Sequence, residues 1–204
     1  TQGVSSAASD VYKRQTHRCP LSCPYCSNPV ELEMKSKEID TETWKRALSE
    51  AVKIGILQAH FSGGEPTARK DLEELIQHAS SIGLYTNLIT SGVLITEERL
   101  KKFYDAGLDH VQVSIQDTDP ENSEKIAGYK GHAKKLHTCG LIRKVGLPLT
   151  VNAVMHRQNL HNLKNILMCL FSSFFFSFSF FVNRLLFSVC LLYTSDAADD
   201  TPCV

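Results

Sequence analysis

The stretch TETWKRALSEAVKIGILQAHFSGGEP, residues 41–66, contains the structural unit that the chain repeats. An amphipathic run, which Asp40 or Thr41 can cap as a helix, stops at Gly55 and is followed by a run of strand-forming residues. Glycine readily adopts the left-handed conformation that follows the last turn of a helix. The stretch therefore predicts a helix, a glycine turn and a strand in direct succession.

The same junction recurs three more times along the chain. The runs after the glycine read GLYTNLIT from Gly83, GLDHVQVS from Gly107 and GLPLTVNA from Gly146. Strands that alternate with helices indicate a parallel sheet or barrel with right-handed crossovers. In a parallel β/α barrel the carboxyl ends of the strands share one rim, where ligand-binding groups collect. Because each strand-forming run ends in small or polar residues, the sequence predicts an α/β fold with a ligand-binding rim.

The composition excludes several classes of function. The 204 residues include 22 Lys and Arg against 22 Asp and Glu, so the formal net charge is +0 and no nucleic-acid or membrane partner is expected. Seven cysteines are too few for a disulfide scaffold, and three of them are crowded together. We therefore expect reduced, metal-binding thiolates and a cytoplasmic location.

The loop THRCPLSCPYCSNP, residues 16–29, carries the most specific signal. Three residues separate its first two cysteines, and two residues separate the second from the third: Cys19, Cys23 and Cys26. Four cysteines would close an iron–sulfur or zinc site, whereas three leave one coordination position open, as catalytic centres do. A structural zinc site completed by His17 or by a distant cysteine is the alternative.

The CxxxCxxC spacing resembles the signature of the radical S-adenosylmethionine (SAM) superfamily, with Tyr25 at the aromatic position before the third cysteine. The segment SGGEP, residues 62–66, resembles the GGEP segment of the same superfamily. The resemblance implies a partial parallel (β/α)6 barrel in which the three thiolates hold a [4Fe–4S] cluster and SAM binds its open iron. It further implies that the backbone of Gly63 and Gly64 and the carboxylate of Glu65 receive the methionyl ammonium.

Three further positions match the superfamily more weakly. The resemblance implies that Ser114, at the end of the fourth strand, contacts the methionyl or ribose part of SAM, and that Thr90 and Asn152 bind SAM from the third and fifth strands. Each can equally be a satisfied strand-end side chain. Radical formation needs no acid–base dyad, so no catalytic residue is assigned, and Glu65 and Asp117 are expected to have positioning or structural roles.

Several stretches, including RCPLSCPYCSNP, QAHFSGGEPTARKDL and GLPLTVNAVMHRQNL, resemble the PqqA peptide cyclases of pyrroloquinoline quinone biosynthesis. The resemblance implies an oxidoreductase whose 5′-deoxyadenosyl radical abstracts hydrogen from a Glu side chain of the precursor peptide PqqA, after which a carbon–carbon bond to a Tyr ring forms. It also implies the peptide chaperone PqqD and an external reductant as partners. The alternatives are another radical SAM peptide-modifying enzyme and a non-catalytic zinc-binding or membrane-tethered protein.

The two ends of the chain follow a different pattern. The peptides SSAASDVYKRQ, residues 5–15, and CLLYTSDAADD, residues 190–200, can be encoded by opposite strands of one DNA, as translated library adapters would be. We expect residues 1–15 to be a non-native leader, residues 16–166 a partial radical SAM core, and residues 167–204 a low-complexity and adapter-like tail. The first and sixth barrel strands would then be missing or replaced, and the truncated N-terminal fragment would be inactive by itself. The Phe-rich part of the tail is also long enough for a membrane span.

Overall fold

The computed structural model describes residues 10–14, 18–26, 38–168 and 188–191, and its strands form one parallel sheet in the order β1-β2-β3-β4-β5-β6. The strands are β1 (Asp10–Arg14), β2 (Gln58–Ser62), β3 (Tyr85–Thr90), β4 (His110–Ser114), β5 (Leu149–Met155) and β6 (Ser188–Leu191). The helices are α1 (Thr41–Lys53), α2 (Leu72–Ser81), α3 (Glu97–Asp105), α4 (Pro120–Ala127) and α5 (His132–Val145). Single 3-10 turns occupy Pro66–Ala68 and Leu160–Asn162. The predicted α/β class is confirmed.

The four predicted helix–glycine–strand junctions are all present. The side chain of Asp40 accepts a hydrogen bond from the Thr43 N–H at 2.8 Å and begins α1, and Thr96 caps α3 in the same way. The glycines that follow α1, α2, α3 and α5 have φ values of 89°, 85°, 90° and 91°, a region that other residues rarely adopt: Gly55, Gly83, Gly107 and Gly146. Glycine at these positions therefore lets the chain turn directly from each helix into the next strand.

One face of the sheet packs against the helices. Alternate strand residues, among them Phe61, Leu88 and Val111, are at most 1% exposed and join one apolar cluster with the buried faces of the helices. Since strand side chains alternate between faces, the residues between them point away from the helices. On β2 to β5 most side chains of that second face are polar, among them His60, Gln112 and Asn152, so it can line a ligand site.

A chain of hydrogen bonds crosses the polar face from β2 to β5. The Asn87 amide lies between two imidazoles, 3.0 Å from His60 Nδ1 and 2.9 Å from His110 Nδ1, and the Thr150 hydroxyl lies 3.0 Å from His110 Nε2. Burial lowers the pKa of His110, and its proximity to His60 lowers it further. These hydrogen bonds tie four neighbouring strands together across the polar face.

The two edges of the sheet hold the strands that the sequence predicted to be missing or replaced. β1 pairs in parallel with β2, from Asp10 opposite Gln58 to Arg14 opposite Ser62, and β6 pairs with β5. An edge strand presents unpaired N–H and C=O groups that any extended segment can satisfy, whatever its side chains. The first and sixth places are therefore filled, and the filling segments belong to the predicted leader and tail.

The Phe-rich run, residues 171–187, lies outside the described residues, and so does the membrane span considered for it. Among the helices that the structure does describe, none combines the length and the apolar character that crossing a bilayer requires.

Candidate functional site

The cysteine loop is hydrogen-bonded at two points, to the segment after β2 and to the end of α4. The Glu65 N–H donates to the Arg18 carbonyl oxygen at 2.7 Å, which joins the start of the loop to the segment after β2. The Ser22 N–H donates to the Ala127 carbonyl oxygen at 2.8 Å, which joins its middle to the end of α4. The loop therefore spans the rim that the sequence predicted as the ligand site.

Gly128, immediately after α4, permits the second contact. Its φ is 62°, and a Cβ there would lie 1.9 Å from Ser22 Oγ and 3.2 Å from Ser22 Cβ. Only glycine avoids both the left-handed strain and this overlap. The short α4 that ends here was not predicted, although Asp119 caps it and Pro120 is its first residue.

The three cysteine side chains are free thiols, and Cys19 is close enough to Cys23 and Cys26 to interact with them electrostatically. Cys19 and Cys23 are partly buried and Cys26 is exposed. The pKa of the Cys19 thiol is raised to about 11, chiefly by burial. A hydrogen bond from the Leu21 N–H opposes this rise, and the neighbouring Glu65 and the other two cysteines contribute to it. A thiolate at this position therefore needs nearby positive charge, such as that of bound iron.

Within residues 10–14, 18–26, 38–168 and 188–191, no three His, Cys, Asp or Glu side chains are arranged to hold a single metal ion. In an iron–sulfur cube each thiolate binds a different iron atom, so its ligands need not converge on one point. His17, the alternative zinc ligand, lies outside those ranges. The donor set of three thiols on one loop fits a cluster with an open iron.

Glu65 is completely buried, and its carboxylate is held by the segments after β2 and β3. Oε1 accepts hydrogen bonds from the Thr67 N–H at 3.1 Å, the Thr67 hydroxyl at 2.5 Å and the Thr90 hydroxyl at 2.7 Å. Oε2 accepts from the Ser91 N–H at 2.7 Å and from the Ser91 hydroxyl. Both oxygens are thus occupied by the protein's own donors, and Thr90 points its hydroxyl at Glu65. The expected contacts of these two side chains with SAM stay predictions.

The remaining predicted SAM-binding residues lie along the same rim. Gly63 has a φ of 154°, which places the backbone of the Gly63–Gly64 segment in a conformation that other residues rarely adopt. Ser114 and Asn152 are opposite each other in the register of β4 and β5, on the polar face. The Asn152 Oδ1 atom is buried without a hydrogen-bond partner among the described residues. An unsatisfied buried acceptor of this kind is suited to a ligand donor.

Tyr25 connects the cysteine loop to the end of β5. Its ring centroid lies 5.1 Å from that of His156, with the planes tilted by 49°. Burial raises the pKa of Tyr25 and lowers that of His156. The aromatic position of the signature therefore packs against the rim rather than projecting into solvent.

Sequence reasoning missed Lys135 and Gln116. Lys135 belongs to α5, yet it is only 1% exposed, and its Nζ donates to the Ser114 carbonyl oxygen at 3.3 Å and to Gln116 Oε1. Burial lowers the pKa of Lys135, while the nearby Cys23 thiol opposes that change. In the sequence Lys135 is one of three lysines on α5, so only tertiary packing distinguishes it.

The family model for the radical SAM superfamily matches residues 14–170, and the chain belongs to this family. The expected cofactors of an enzyme of this family, SAM and a [4Fe–4S] cluster, are borne out by that membership. Within the family, the chain is 62% identical over 153 residues to a PqqA peptide cyclase of Bradyrhizobium diazoefficiens, covering 74% of this chain and 40% of the relative. It is 61% identical over 153 residues to a PqqA peptide cyclase of Rhodopseudomonas palustris, covering 74% and 41%. The expected resemblance is confirmed, and the chain spans about two-fifths of the length of these relatives.

Solved structures share the fold. Streptococcus suis SuiB bound to S-adenosylmethionine superposes with a TM-score of 0.71 at 18% identity, covering 89% of this chain and 40% of SuiB. A structure titled native anSMEcpe with bound AdoMet and Kp18Cys peptide gives a TM-score of 0.69 at 19% identity, covering 92% and 53%. At these identities the similarity shows that the strands and helices are arranged as in a radical SAM barrel.

Proposed function

We propose that Cys19, Cys23 and Cys26 hold a [4Fe–4S] cluster and that SAM binds beside it along the carboxyl ends of β2 to β5. The observation that carries this proposal is the double attachment of the cysteine loop, to Glu65 on one side and to Ala127 on the other. This attachment supports the proposal because it holds the cysteine loop next to the segment that contains Gly63, Gly64 and Glu65. When bound, the cluster supplies the electron that cleaves the sulfonium carbon–sulfur bond.

The protein's own residues would orient the SAM molecule. The backbone of Gly63 and Gly64 would receive the methionyl ammonium, while Glu65 holds that segment against the one after β3. Ser114 and Asn152 would face the methionyl and ribose groups from the polar face. Tyr25, on the cysteine loop, would cover one side of the SAM site. Fixing the reacting carbon in this way lowers the entropic cost of the radical step.

Lys135 adds a positive charge at the same place. Buried ammonium groups are rarely left without a carboxylate partner. In the part of the chain that the structure describes, Lys135 forms no ion pair, and its recorded partners are a carbonyl and an amide oxygen. We propose that the carboxylate of the SAM methionyl group is its partner.

For the whole protein we propose the formation of a Glu-to-Tyr carbon–carbon crosslink in the precursor peptide PqqA, with PqqD and an external reductant as partners and the cytoplasm as location. The support is the similarity to PqqA peptide cyclases, together with the shared fold of a SuiB structure titled as bound to its precursor peptide, at a TM-score of 0.66 and 20% identity. The division into a leader at residues 1–15, a core at 16–166 and a tail at 167–204 also remains our proposal.

Anaerobic reconstitution with iron and sulfide tests the proposed site. We expect a brown chain. Although the fragment is not expected to crosslink a peptide by itself, its cluster should release methionine and 5′-deoxyadenosine from SAM when dithionite is present, measured by chromatography. Cys26→Ala should abolish both the colour and the products. Cys139→Ala, which alters a thiol packed against the apolar core, is the matched control and should retain them. A colourless, zinc-loaded wild type would contradict the proposal.

A further inference from the structure

Gln116 follows β4 and is only 1% exposed, although its side chain is polar. Its backbone carbonyl oxygen accepts a hydrogen bond from Asn159 Nδ2 at 2.8 Å, so its position is fixed independently of its side chain. The side-chain oxygen, Oε1, points to Lys135 Nζ and accepts a hydrogen bond from it. A neutral amide thus stands where a buried lysine ordinarily meets a carboxylate.

Neither group in recorded hydrogen-bond contact with Lys135 Nζ carries a charge. The second recorded partner of Nζ is the Ser114 carbonyl oxygen, which is also neutral. The charges that act on Lys135 from a distance are those of Glu65 and of the Cys19, Cys23 and Cys139 thiols. The Glu65 carboxylate is already engaged by its own hydrogen-bond donors. Among the described residues, the Lys135 ammonium group therefore has no carboxylate in hydrogen-bond contact.

We infer that Gln116 is a specificity-determining positioning residue: it holds the Lys135 ammonium by a hydrogen bond without neutralising it, so that the site selects a ligand bearing a carboxylate. The inference rests on the proposed function, in which that ligand is SAM. A glutamate at the same position would keep the shape and the hydrogen bond from Lys135. It would also replace the amide that hydrogen-bonds Tyr25 by a carboxylate, which would compete with the ligand for Lys135. Its negative charge would also repel the ligand carboxylate.

The test compares two ligands on the reconstituted chain by equilibrium dialysis: SAM, and decarboxylated SAM, which lacks only the carboxylate. We expect the wild type to bind SAM more tightly than the decarboxylated analogue by at least about tenfold, the change that ~1.4 kcal/mol produces. Gln116→Glu should weaken SAM binding by at least about tenfold and leave binding of the analogue nearly unchanged. The discrimination between the two ligands would then largely disappear.

Two further variants separate this role from structural damage. Gln112→Glu makes the same chemical change earlier on β4 and should leave the discrimination intact. Lys135→Met removes the charge altogether and should abolish the discrimination between the two ligands. This variant therefore tests the inference even if Gln116→Glu folds poorly. The inference would be overturned if Gln116→Glu weakened the binding of both ligands equally, or if Lys135→Met discriminated between them as the wild type does.

The failure of this inference is distinguishable from failure of the proposed function. A wild type that binds and cleaves SAM while Gln116→Glu discriminates as the wild type does would refute only the role of Gln116. A wild type that takes up no cluster and binds neither ligand would refute the proposed function, and the role of Gln116 with it.

Discussion

Replacing Glu65 by glutamine should destabilise the protein, because the geometry leaves an amide no acceptable orientation. Each carboxylate oxygen of Glu65 accepts one backbone N–H, that of Thr67 on Oε1 and that of Ser91 on Oε2. The hydroxyl groups around it can rotate, but a backbone N–H cannot become an acceptor. Whichever way the glutamine amide is turned, its NH2 group faces one buried N–H.

The cost follows from the energetics of an unsatisfied buried donor, which is ~1–3 kcal/mol, with the lost charge assistance of the remaining bonds added to it. We expect Glu65→Gln to lower the free energy of unfolding by about 2 kcal/mol. With a urea m value of about 2 kcal/mol/M, the midpoint should move down by about 1 M.

Urea titration followed by far-UV circular dichroism measures this change. Glu98→Gln is the matched control, because the side chain of Glu98 is 80% exposed and pairs only with the similarly exposed Lys102 on α3 in the described residues. Its midpoint should shift by no more than the ~0.5 kcal/mol typical of surface changes. A Glu65→Gln protein as stable as the Glu98→Gln control would refute the assignment of Glu65 as the link between the two segments.

Three other predictions concern the sheet and the loop. Burial holds the pKa of His110 below its ordinary value. The stability that the neutral ring contributes is therefore present above pH ~6.5 and should be lost as the pH falls through the lowered pKa. Urea midpoints that stay constant from about pH 8 to pH 5 would contradict this prediction. Asn87→Leu removes the partner of two imidazoles and should cost about 2 kcal/mol more than Thr150→Val, which removes the partner of one ring atom, in the same titration. Gly128→Ala should displace the cysteine loop and reduce iron uptake per chain. The control is Gly55→Ala, which also has a positive φ but nothing within 4 Å of the added Cβ, and which should lose only stability, by roughly 1 kcal/mol. Equal iron uptake in the two variants would show that the contact between Gly128 and Ser22 is unimportant.

Much of the fold was predictable because it depends on local signals. Hydrophobic periodicity and the glycines after the helices located β2 to β5 and four of the helices. The edge strands were not predictable from side chains, since their pairing with β2 and β5 is a backbone interaction that a sequence pattern specifies weakly.

The candidate site, like the fold, was predictable only in part. The cysteine spacing and the Gly63–Gly64 segment are local patterns, so the sequence alone identified them. The engagement of the Glu65 carboxylate depends on Ser91 and Thr90 after another strand, and the burial of Lys135 depends on how α5 packs against β4. Such contacts between distant parts of the chain have no signature in a single sequence.

The central claim is that three cysteines hold an iron–sulfur cube with one iron open to SAM. Electron paramagnetic resonance of the reduced, reconstituted chain, recorded before and after SAM is added, tests it most directly. We predict a [4Fe–4S]+ signal that changes in shape and position when SAM is added. A cluster signal that SAM leaves unchanged, or a chain that takes up zinc and no iron, would contradict the claim.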